Sequence, residues 1–244
     1  MHDKDHTIIL TAKTDILSDE CLFSAFYKEV SGDRRKKTDG YRFAKDKYLS
    51  LGAEILLYEA LDRFGFDRKA YEGGEICFVK GENGKPYMEG HGNIFFNISH
   101  SGDYVMCAVS DREVGCDIQK MEKAELSLAE RFFLPQEYEA IATQPDEESK
   151  RRMFYRYWTL KESYMKVTGL GMSLPLDAFE IRAYGMTEPV TAELAAVSAE
   201  RAGRDRRFYF REFDVVPEYC CAVCIEDGPV DAPMQTVDLR EHKI

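Results

Sequence analysis

Two long helical segments, each followed by apolar strands, constrain the fold of this 244-residue chain more than any other feature. Residues 44–64 carry apolar side chains at helical spacing and run into Gly65. Residues 149–168 repeat this pattern and run into Gly169, after a shorter helical segment at 127–142. Because helix followed by strands occurs twice, the sequence predicts an α+β protein of two lobes.

The predicted strands cover residues 76–79, 94–98, 104–109, 114–118, 207–214 and 219–225. Residues 104–109 and 114–118 flank a four-residue loop, so we expect them to form a β-hairpin. The tripeptide Cys107-Ala-Val109 recurs as Cys221-Ala-Val223, which hints at an internal duplication. No glycine-serine linker separates the halves, so we expect closely packed lobes at residues 1–113 and 114–244.

Composition narrows the classes of function. The chain has 44% hydrophobic residues, enough for a proper core, and no run approaches the ~18 apolar residues of a membrane span. We therefore expect a cytoplasmic protein that does not associate with a membrane. The formal net charge of -11 argues against nucleic-acid binding, which needs a positive surface.

Any anionic ligand must therefore meet a local cluster of positive charge. Two clusters stand out: residues 34–37 with Lys45 and Lys47, and residues 201–207. Most such runs are simply solvated, so both explanations stay open at this point.

The seven cysteines give an odd total and lie mostly in apolar segments, which favours reduced core thiols over disulfides. Cys221 and Cys224 have the spacing of a metal or redox pair. However, residues 219–225 have the pattern of a buried strand, where positions three apart point to opposite faces. The sequence therefore favours a packing role for this pair.

A possible metal site combines one strand with one helix. Asp117 and Gln119 are two apart on a strand and leave the same face, while Glu162 lies on a helix one turn before Lys166. Glu162 also faces away from the apolar side of its helix. Three oxygen donors suit a hard cation such as Mg²⁺. The alternatives are an ordinary Glu162–Lys166 salt bridge and a solvent-facing Asp117.

Three motifs carry a family resemblance: Asn97-Ile-Ser-His-Ser-Gly102, Val114-Gly-Cys-Asp-Ile118 and Trp158-Thr-Leu-Lys-Glu-Ser-Tyr-Met-Lys166. In this order they resemble the hallmark motifs of the surfactin-type (Sfp-type) 4′-phosphopantetheinyl transferases. Gly84-Lys-Pro86, Arg131-Phe-Phe133 and Gly169-Leu-Gly-Met-Ser-Leu-Pro175 extend the resemblance over roughly residues 30–180. Several ordered motifs at family spacing are far more specific than any one alone.

The resemblance implies the fold and the activity. Two similar lobes related by a pseudo-twofold axis would each pack a small antiparallel sheet against a long helix, with coenzyme A and Mg²⁺ (or Mn²⁺) in the cleft between them. Such enzymes transfer the 4′-phosphopantetheine arm of coenzyme A to a serine of an apo acyl or peptidyl carrier protein and release adenosine 3′,5′-bisphosphate. A cytoplasmic monomer that serves secondary metabolism would be typical of the family.

The resemblance also assigns residues. Asp117, Gln119 and Glu162 would be the metal ligands, although many members have a third acidic residue where this chain has Gln119. An amide oxygen can coordinate a cation, but it adds no charge, so the metal would bind less tightly. Glu162 would also be the base that takes the proton of the serine, with Lys161 as the alternative if its pKa were depressed.

Coenzyme A would be bound by six residues under the same resemblance: Arg34, Lys37, Lys85, Ser99, His100 and Lys166. Lys166 and His100 would contact its phosphates and take part in catalysis, while the other basic residues would bind the 3′-phosphate and other nucleotide groups. We expect Lys85 to lie at the rim of the turn formed by residues 82–86.

Two further expectations remain. The segment from Met121 to Leu134 corresponds to the region where family members receive the carrier protein, although Phe132 and Phe133 would also suit a core. Two other classes of function are consistent with the residues, namely a non-catalytic module that binds coenzyme A or a carrier, and a metal-dependent phosphohydrolase.

Overall fold

The computed structural model describes residues 6–67, 76–123, 126–183, 191–193 and 207–242. The elements, in chain order, are β1 (Thr7–Lys13), α1 (Glu20–Glu29), α2 (Gly32–Gly40), α3 (Ala44–Arg63), β2 (Phe78–Lys80), β3 (Pro86–Met88), β4 (Phe95–Ser101), β5 (Tyr104–Ser110), β6 (Val114–Lys120), α4 (Leu126–Phe132), α5 (Pro135–Ala142), α6 (Glu147–Thr168), β7 (Glu180–Arg182), β8 (Thr191–Glu193), β9 (Phe208–Phe213), β10 (Tyr219–Glu226) and β11 (Met234–Val237). The predicted α+β class is confirmed.

The chain divides into two compact units. The first consists of residues 1–80, 86–111 and 231–244, and the second of residues 81–85 and 112–230. The predicted boundary at residue 113 lies near one of these divisions. The second unit ends at residue 230, whereas the predicted second lobe runs to residue 244. The difference arises because β11 pairs with β1 and so belongs to the first unit.

The first unit is built on a four-stranded sheet in the order β11-β1-β5-β4, in which β1 and β11 are parallel and the other pairs antiparallel. Helix α3 packs against β5 and β1. Its inner residues are almost fully buried, including Leu51, Ile55 and Leu61, so this unit has a core of its own. A separate hairpin joins β2 to β3.

The second unit has a five-stranded antiparallel sheet in the order β6-β10-β9-β8-β7. Helix α6 packs across β6 and β10, the two strands at one edge. Tyr164, Phe154 and Leu160 of the helix belong to a core that includes Ala222 and Cys224 of β10. Both units therefore place one long helix over a sheet.

Strand β5 does not form the predicted hairpin with the strand after it. Its two edges are occupied by β1 and β4, whereas β6 pairs with β10 in the other sheet. The hairpin that does form joins β4 to β5 through Gly102 and Asp103, where Gly102 has a φ of 56°. Strand β4 therefore extends three residues beyond the predicted end at residue 98, and His100 lies within it.

The long helices match their predicted bounds closely. Helix α3 ends one residue before its predicted end, and α6 ends before Gly169, whose φ of 69° is the left-handed conformation typical of a helix stop. The predicted segment at 127–142 is two helices, because Pro135 begins a new one. In the described part of the chain, no helix is both long and apolar enough to cross a membrane.

Candidate active site

Gly115 brings strand β6 unusually close to helix α6. A Cβ atom at this position would lie 2.1 Å from the carbonyl oxygen of Ser163 and 2.5 Å from the amide nitrogen of Val167. Both are backbone atoms of the helix, so no side chain larger than hydrogen fits without moving the helix. This contact lies two residues before Asp117 and one residue after Glu162, so it sets the separation of the two acids.

Asp117 is buried and paired with Lys166. Its carboxylate side chain is 2% exposed, and its Oδ1 accepts a hydrogen bond of 2.6 Å from Lys166 Nζ. Lys166 also donates to the carbonyl oxygen of Cys116 at 3.1 Å. Burial by itself lowers the pKa of Lys166, but Asp117, Cys116 and Glu162 together outweigh it, so the pKa of Lys166 is raised and the ammonium stays charged.

Glu162 faces the same group of charges. Burial raises the pKa of its carboxyl, the nearby Asp117 carboxylate raises it further, and Lys166 partly opposes both. The two acids therefore lie close enough to repel each other. The predicted convergence of Asp117 with Glu162 is confirmed, while their role as metal ligands stays a prediction.

Gln119 lies beside Asp117 and is hydrogen-bonded to it. Its side chain leaves the same face of β6 as Asp117. Its Nε2 donates to Asp117 Oδ2 at 3.3 Å, so the amide oxygen is turned away from that carboxylate. Asp117 is thus held by an ammonium on one oxygen and an amide on the other, which fixes its orientation beside Glu162.

This donor set fits Mg²⁺. Two carboxylates are typical of a site that leaves further positions for water and phosphate oxygens, and the amide oxygen of Gln119 would join them only after its side chain turns. Among the described residues, no group of three or more His, Cys, Asp or Glu side chains is placed to hold a metal ion. The negative charge of the site therefore comes from two acids, Asp117 and Glu162. The positive Lys166 ammonium offsets part of this negative charge.

Lys161, the alternative base, has a structural role. Its side chain is fully buried, and its Nζ lies 2.8 Å from Glu137 Oε2. It also donates to the carbonyl oxygens of Leu176 and Phe179, at 2.8 and 2.9 Å. Burial does lower the pKa of Lys161, as this alternative required. However, an ammonium enclosed by these partners cannot reach a substrate.

Glu137 was not anticipated from the sequence. It accepts from the backbone amides of Leu134 and Ile181 as well as from Lys161, so one buried carboxylate joins α5, α6 and β7. Burial raises the pKa of Glu137. The sequence pattern of a helical segment does not show whether a glutamate in it is buried. The role of Glu137 therefore could not be predicted from the sequence.

Lys85 does not lie at the rim of its turn, so that prediction is wrong. The side chain is 6% exposed, and its Nζ lies 2.6 Å from Glu113 Oε2. It also donates to the carbonyl oxygens of Val114 and Val167 at 3.2 and 3.1 Å. Lys85 thereby ties the start of β6 to the end of α6, and these bonds would have to break before it could bind a nucleotide.

The first unit carries a positive cluster at Arg34, Lys37 and Lys80. Arg34 is fixed by its Nε, which donates to the buried Glu54 Oε2 at 2.8 Å. Lys37 is exposed at the surface. Partial desolvation, followed by the positive charges of Arg34 and Lys80, lowers the pKa of Lys37. Three cations that repel one another favour the binding of an anion. The second basic run, residues 201–207, lies outside the described residues except for Arg207.

His100 and Ser99 are adjacent on β4 and so point to opposite faces of the sheet. His100 is exposed, whereas Ser99 is buried. Only His100 is therefore accessible to a ligand through its side chain, and the expected role of Ser99 stays a prediction that its burial does not favour.

The cysteine pair lies on β10, as the strand pattern predicted. Cys221 is opposite Ile118, and Cys224 is opposite Gly115. Burial raises the pKa of both thiols, which disfavours the thiolate that a metal or a redox reaction needs. Both cysteines are packing residues.

The segment predicted to receive a carrier protein contains one exposed and one buried phenylalanine. Phe133 is 5% exposed and stacks on Phe154, whereas Phe132 is 40% exposed. The guanidinium of Arg131 lies 5.0 Å from the centre of the Phe132 ring. Residues 124 and 125 lie outside the described part.

Comparison with known proteins identifies the family of this chain. A model of the "4′-phosphopantetheinyl transferase superfamily" matches residues 113–224, and one of the "4′-phosphopantetheinyl transferase, N-terminal" region matches residues 18–112. A 4′-phosphopantetheinyl transferase of Bacillus subtilis is 34% identical over 197 residues, which are 80% of this chain and 81% of that protein.

Two further relatives match at similar levels. The 4′-phosphopantetheinyl transferase Sfp of Bacillus subtilis strain 168 is 32% identical over 86% of this chain and 88% of its own length. The transferase ffp of Bacillus subtilis is 33% identical over 84% and 87%. The chain belongs to the Sfp-type 4′-phosphopantetheinyl transferases.

Proposed function

We propose that this protein transfers the 4′-phosphopantetheine arm of coenzyme A to a serine of an apo acyl or peptidyl carrier protein. The observation that supports it most is the convergence of Asp117, Glu162 and Lys166 in a chain of this family. Two carboxylates beside a charged ammonium form a site for a diphosphate ester and its counter-ion.

The reaction is a displacement at phosphorus. The serine Oγ attacks the phosphorus that carries the pantetheine arm, and a new O–P bond forms. The bond from that phosphorus to the bridging oxygen breaks, and its electron pair leaves on adenosine 3′,5′-bisphosphate. Such a displacement depends on positioning and on neutralising the phosphate oxygens.

Glu162 takes the proton of the attacking serine. Coordination of a cation would make its carboxylate a weaker base, so the contribution of Glu162 is mainly to position the serine hydroxyl and accept its proton within the site. Lys166 supplies a positive charge for the phosphate oxygens. Its ammonium is held in place by Asp117 and by the carbonyl oxygen of Cys116.

Asp117 and Glu162 would hold Mg²⁺, or Mn²⁺ as the alternative, and Gln119 would join them after a rotation of its side chain that turns the amide oxygen toward the cation. The metal, when bound, neutralises negative charge on the diphosphate. Asp117 contributes a carboxylate whose orientation is fixed, and Gln119 contributes a neutral donor, so the site has a lower charge than one with three acids.

The first unit supplies positive charge for the nucleotide part of coenzyme A. Arg34 and Lys37, with Lys80 beside them, bind the 3′-phosphate. His100, which is exposed on β4, binds a phosphate oxygen. We leave Lys85 and Ser99 out of this group because both side chains are buried.

The carrier protein docks on the segment that contains α4. Phe132 and Arg131 form an exposed apolar and basic pair there. Carrier proteins are usually acidic, and this chain has a formal net charge of -11, so docking depends on such a local patch. A monomer that acts in the cytoplasm, with no role for nucleic acid or membrane, is part of this proposal.

The test is to incubate the protein with coenzyme A, Mg²⁺ and a panel of apo carrier proteins and then weigh each carrier. We expect at least one carrier to gain one phosphopantetheine group. Absence of a mass gain across the panel, with coenzyme A intact, would indicate a binding module instead. Consumption of coenzyme A without any carrier would indicate a phosphohydrolase.

A further inference from the structure

Glu54 is a buried carboxylate of the first unit that the proposed reaction does not use. It lies in the middle of α3, and its side chain is 2% exposed. A carboxylate in such a place is costly unless hydrogen bonds and a positive charge compensate for the loss of water. The partners of Glu54 therefore indicate what the folded chain gains from this charge.

Both carboxylate oxygens of Glu54 accept hydrogen bonds. Oε1 accepts from the backbone amide of Ser31 and from the hydroxyl of Tyr58, each at 2.7 Å. Oε2 accepts from Arg34 Nε at 2.8 Å. Tyr58 lies one turn further along α3, whereas Ser31 is the N-cap of α2 and Arg34 lies in the first turn of that helix. One carboxylate thus binds both the backbone and a side chain at the start of α2.

Helix α2 depends on such contacts because it is polar on all sides. It contains four successive cations at residues 34–37, and Thr38 is its buried residue. A helix without an apolar face gains little from core packing. Near its C-terminal end, Thr38 Oγ1 lies 3.1 Å from Ser50 Oγ of α3, and Glu54 makes the corresponding contact at its N-terminal end. Ser50 and Glu54 are four apart and share a face of α3, so Glu54 fixes the first turn of α2 on that face.

Arg34 and Lys37 are the two cations of α2 that this contact places side by side. They are three residues apart, and Arg34 is one of the charges that lower the pKa of Lys37, so the two are neighbours. Arg35, by contrast, donates to carbonyl oxygens that precede α2. Of the Arg34 guanidinium, only Nε has a partner among the residues that the structure describes, which leaves Nη1 and Nη2 for a ligand. A planar guanidinium with two such nitrogens suits phosphate oxygens.

We propose that Glu54 is a positioning residue for recognition of the 3′-phosphate of coenzyme A. It fixes the orientation of the Arg34 guanidinium and the first turn of α2, so Arg34 and Lys37 lose little freedom when the phosphate binds. The inference rests on the proposed function, which assigns Arg34 and Lys37 to this phosphate. It adds that Glu54, through Arg34, sets the preference for coenzyme A over dephospho-coenzyme A.

Charge and geometry predict opposite effects when Glu54 is replaced by glutamine. Glu54→Gln removes a negative charge near the phosphate, which by charge alone would tighten the binding of an anion. However, the amide has one acceptor oxygen, and in either orientation its NH₂ group meets a donor of Arg34 or of Ser31. Arg34 or the start of α2 would then lose its fixed position, which weakens the binding of the phosphate. The sign of the change therefore separates positioning from a simple effect of charge.

Calorimetric titration with coenzyme A and with dephospho-coenzyme A, which lacks only the 3′-phosphate, provides the test. The Kd for dephospho-coenzyme A divided by the Kd for coenzyme A measures the contribution of that phosphate. We expect Glu54→Gln to lower this ratio about tenfold, while the Kd for dephospho-coenzyme A stays within about twofold. In an Arg34→Ala background, Glu54→Gln should change the ratio by less than about twofold, because the guanidinium that Glu54 positions is then absent.

Glu59→Gln is the matched control. Glu59 lies on the same helix and also accepts from an arginine Nε at 2.8 Å, that of Arg63, but it is about 140° around α3 from Glu54. We expect this variant to leave the ratio unchanged. Tyr58→Phe removes one hydrogen bond to Glu54 and keeps its charge, and it replaces Glu54→Gln if that variant does not fold. The ratio should then fall about threefold.

Three results would overturn the inference while coenzyme A still binds. The first is an unchanged or higher ratio in Glu54→Gln, and the second is an equal loss of affinity for both ligands. The third is a ratio near one in the unchanged protein, since the 3′-phosphate would then contribute nothing. If the unchanged protein bound neither ligand, the proposed function itself would fail, and the inference with it.

Discussion

At the scale of single residues, Asp117 and Glu162 are the centre of the account. The structure brings two carboxylates together on β6 and α6, where burial and the Asp117 carboxylate make Glu162 harder to ionise unless a positive charge compensates for them. Lys166 supplies part of that compensation through its 2.6 Å bond to Asp117. The spacing of Asp117, Gln119 and Glu162 indicated these donors from the sequence.

Glu162→Gln should abolish transfer while the fold stays intact. The amide has the shape of the carboxylate but can neither take the serine proton nor offer the same charge to a cation, so we expect turnover to fall by about 10²-fold or more. The rate of phosphopantetheine transfer to a carrier measures this, with thermal unfolding as the check on the fold. Near-normal turnover would remove Glu162 from its proposed role.

Gln119→Glu should strengthen metal binding. A carboxylate at this position adds a negative charge to a site that now has two acids, so we expect the Mg²⁺ concentration for half-maximal transfer to fall by about tenfold. Gln119→Asn keeps a neutral amide and serves as the control. An unchanged Mg²⁺ dependence in Gln119→Glu would count against coordination at this position.

His242 should make the stability of the first unit depend on pH. Its Nδ1 lies 3.0 Å from Glu59 Oε2 and its Nε2 lies 3.2 Å from Glu29 Oε1. Burial by itself lowers the pKa of His242, but the two carboxylates outweigh it and raise the pKa above the ordinary value of 6.5. The charged form is thus favoured by folding, so its contribution is complete below pH 6.5 and is lost as pH rises through the raised pKa.

Thermal unfolding at pH 6 and pH 9 measures this effect. The unchanged protein should lose more of its Tm over that interval than His242→Gln, which cannot carry the charge. Equal losses in the two proteins would show that the His242 charge does not stabilise the fold.

At the scale of elements, the contact between β6 and α6 decides the geometry of the site. The sequence predicted both elements, with the start of β6 and the end of α6, because strand alternation, helical spacing and Gly169 are local signals. It could not predict that β6 pairs with β10. The alternation of apolar and polar side chains shows which residues of a strand share a face, but it does not show which strand is the neighbour. The burial of Lys85, Lys161 and Ser99 was missed for the same reason, as burial depends on tertiary contacts.

Gly115→Ala should separate the two acids. The new methyl group would meet backbone atoms of α6 at 2.1 and 2.5 Å, so the helix must move away from β6. Overpacking of this kind typically costs ~1–3 kcal/mol of stability, and the shift should also reduce transfer. Denaturant unfolding and transfer rates measure both effects, with Gly92→Ala as the control because a Cβ there meets nothing within 4 Å. Unchanged stability together with unchanged transfer would contradict this role of Gly115.

At the scale of the whole molecule, the chain builds two units whose segments interleave along the sequence. The repeated order of helix and strands indicated two lobes, and the division after residue 111 lies close to the predicted one. The return of β11 to the first sheet was not predicted, because a four-residue strand carries too little pattern to identify its partner. The order of the three motifs indicated the family, which periodicity by itself could not.

The central claim is that Asp117 and Glu162 together hold a divalent cation for the transfer reaction. Electron paramagnetic resonance of Mn²⁺, titrated into the protein with coenzyme A present, tests it most directly. The account predicts bound Mn²⁺ in the unchanged protein and a Kd raised about tenfold or more in both Asp117→Asn and Glu162→Gln. Equal binding of Mn²⁺ by all three proteins would contradict it.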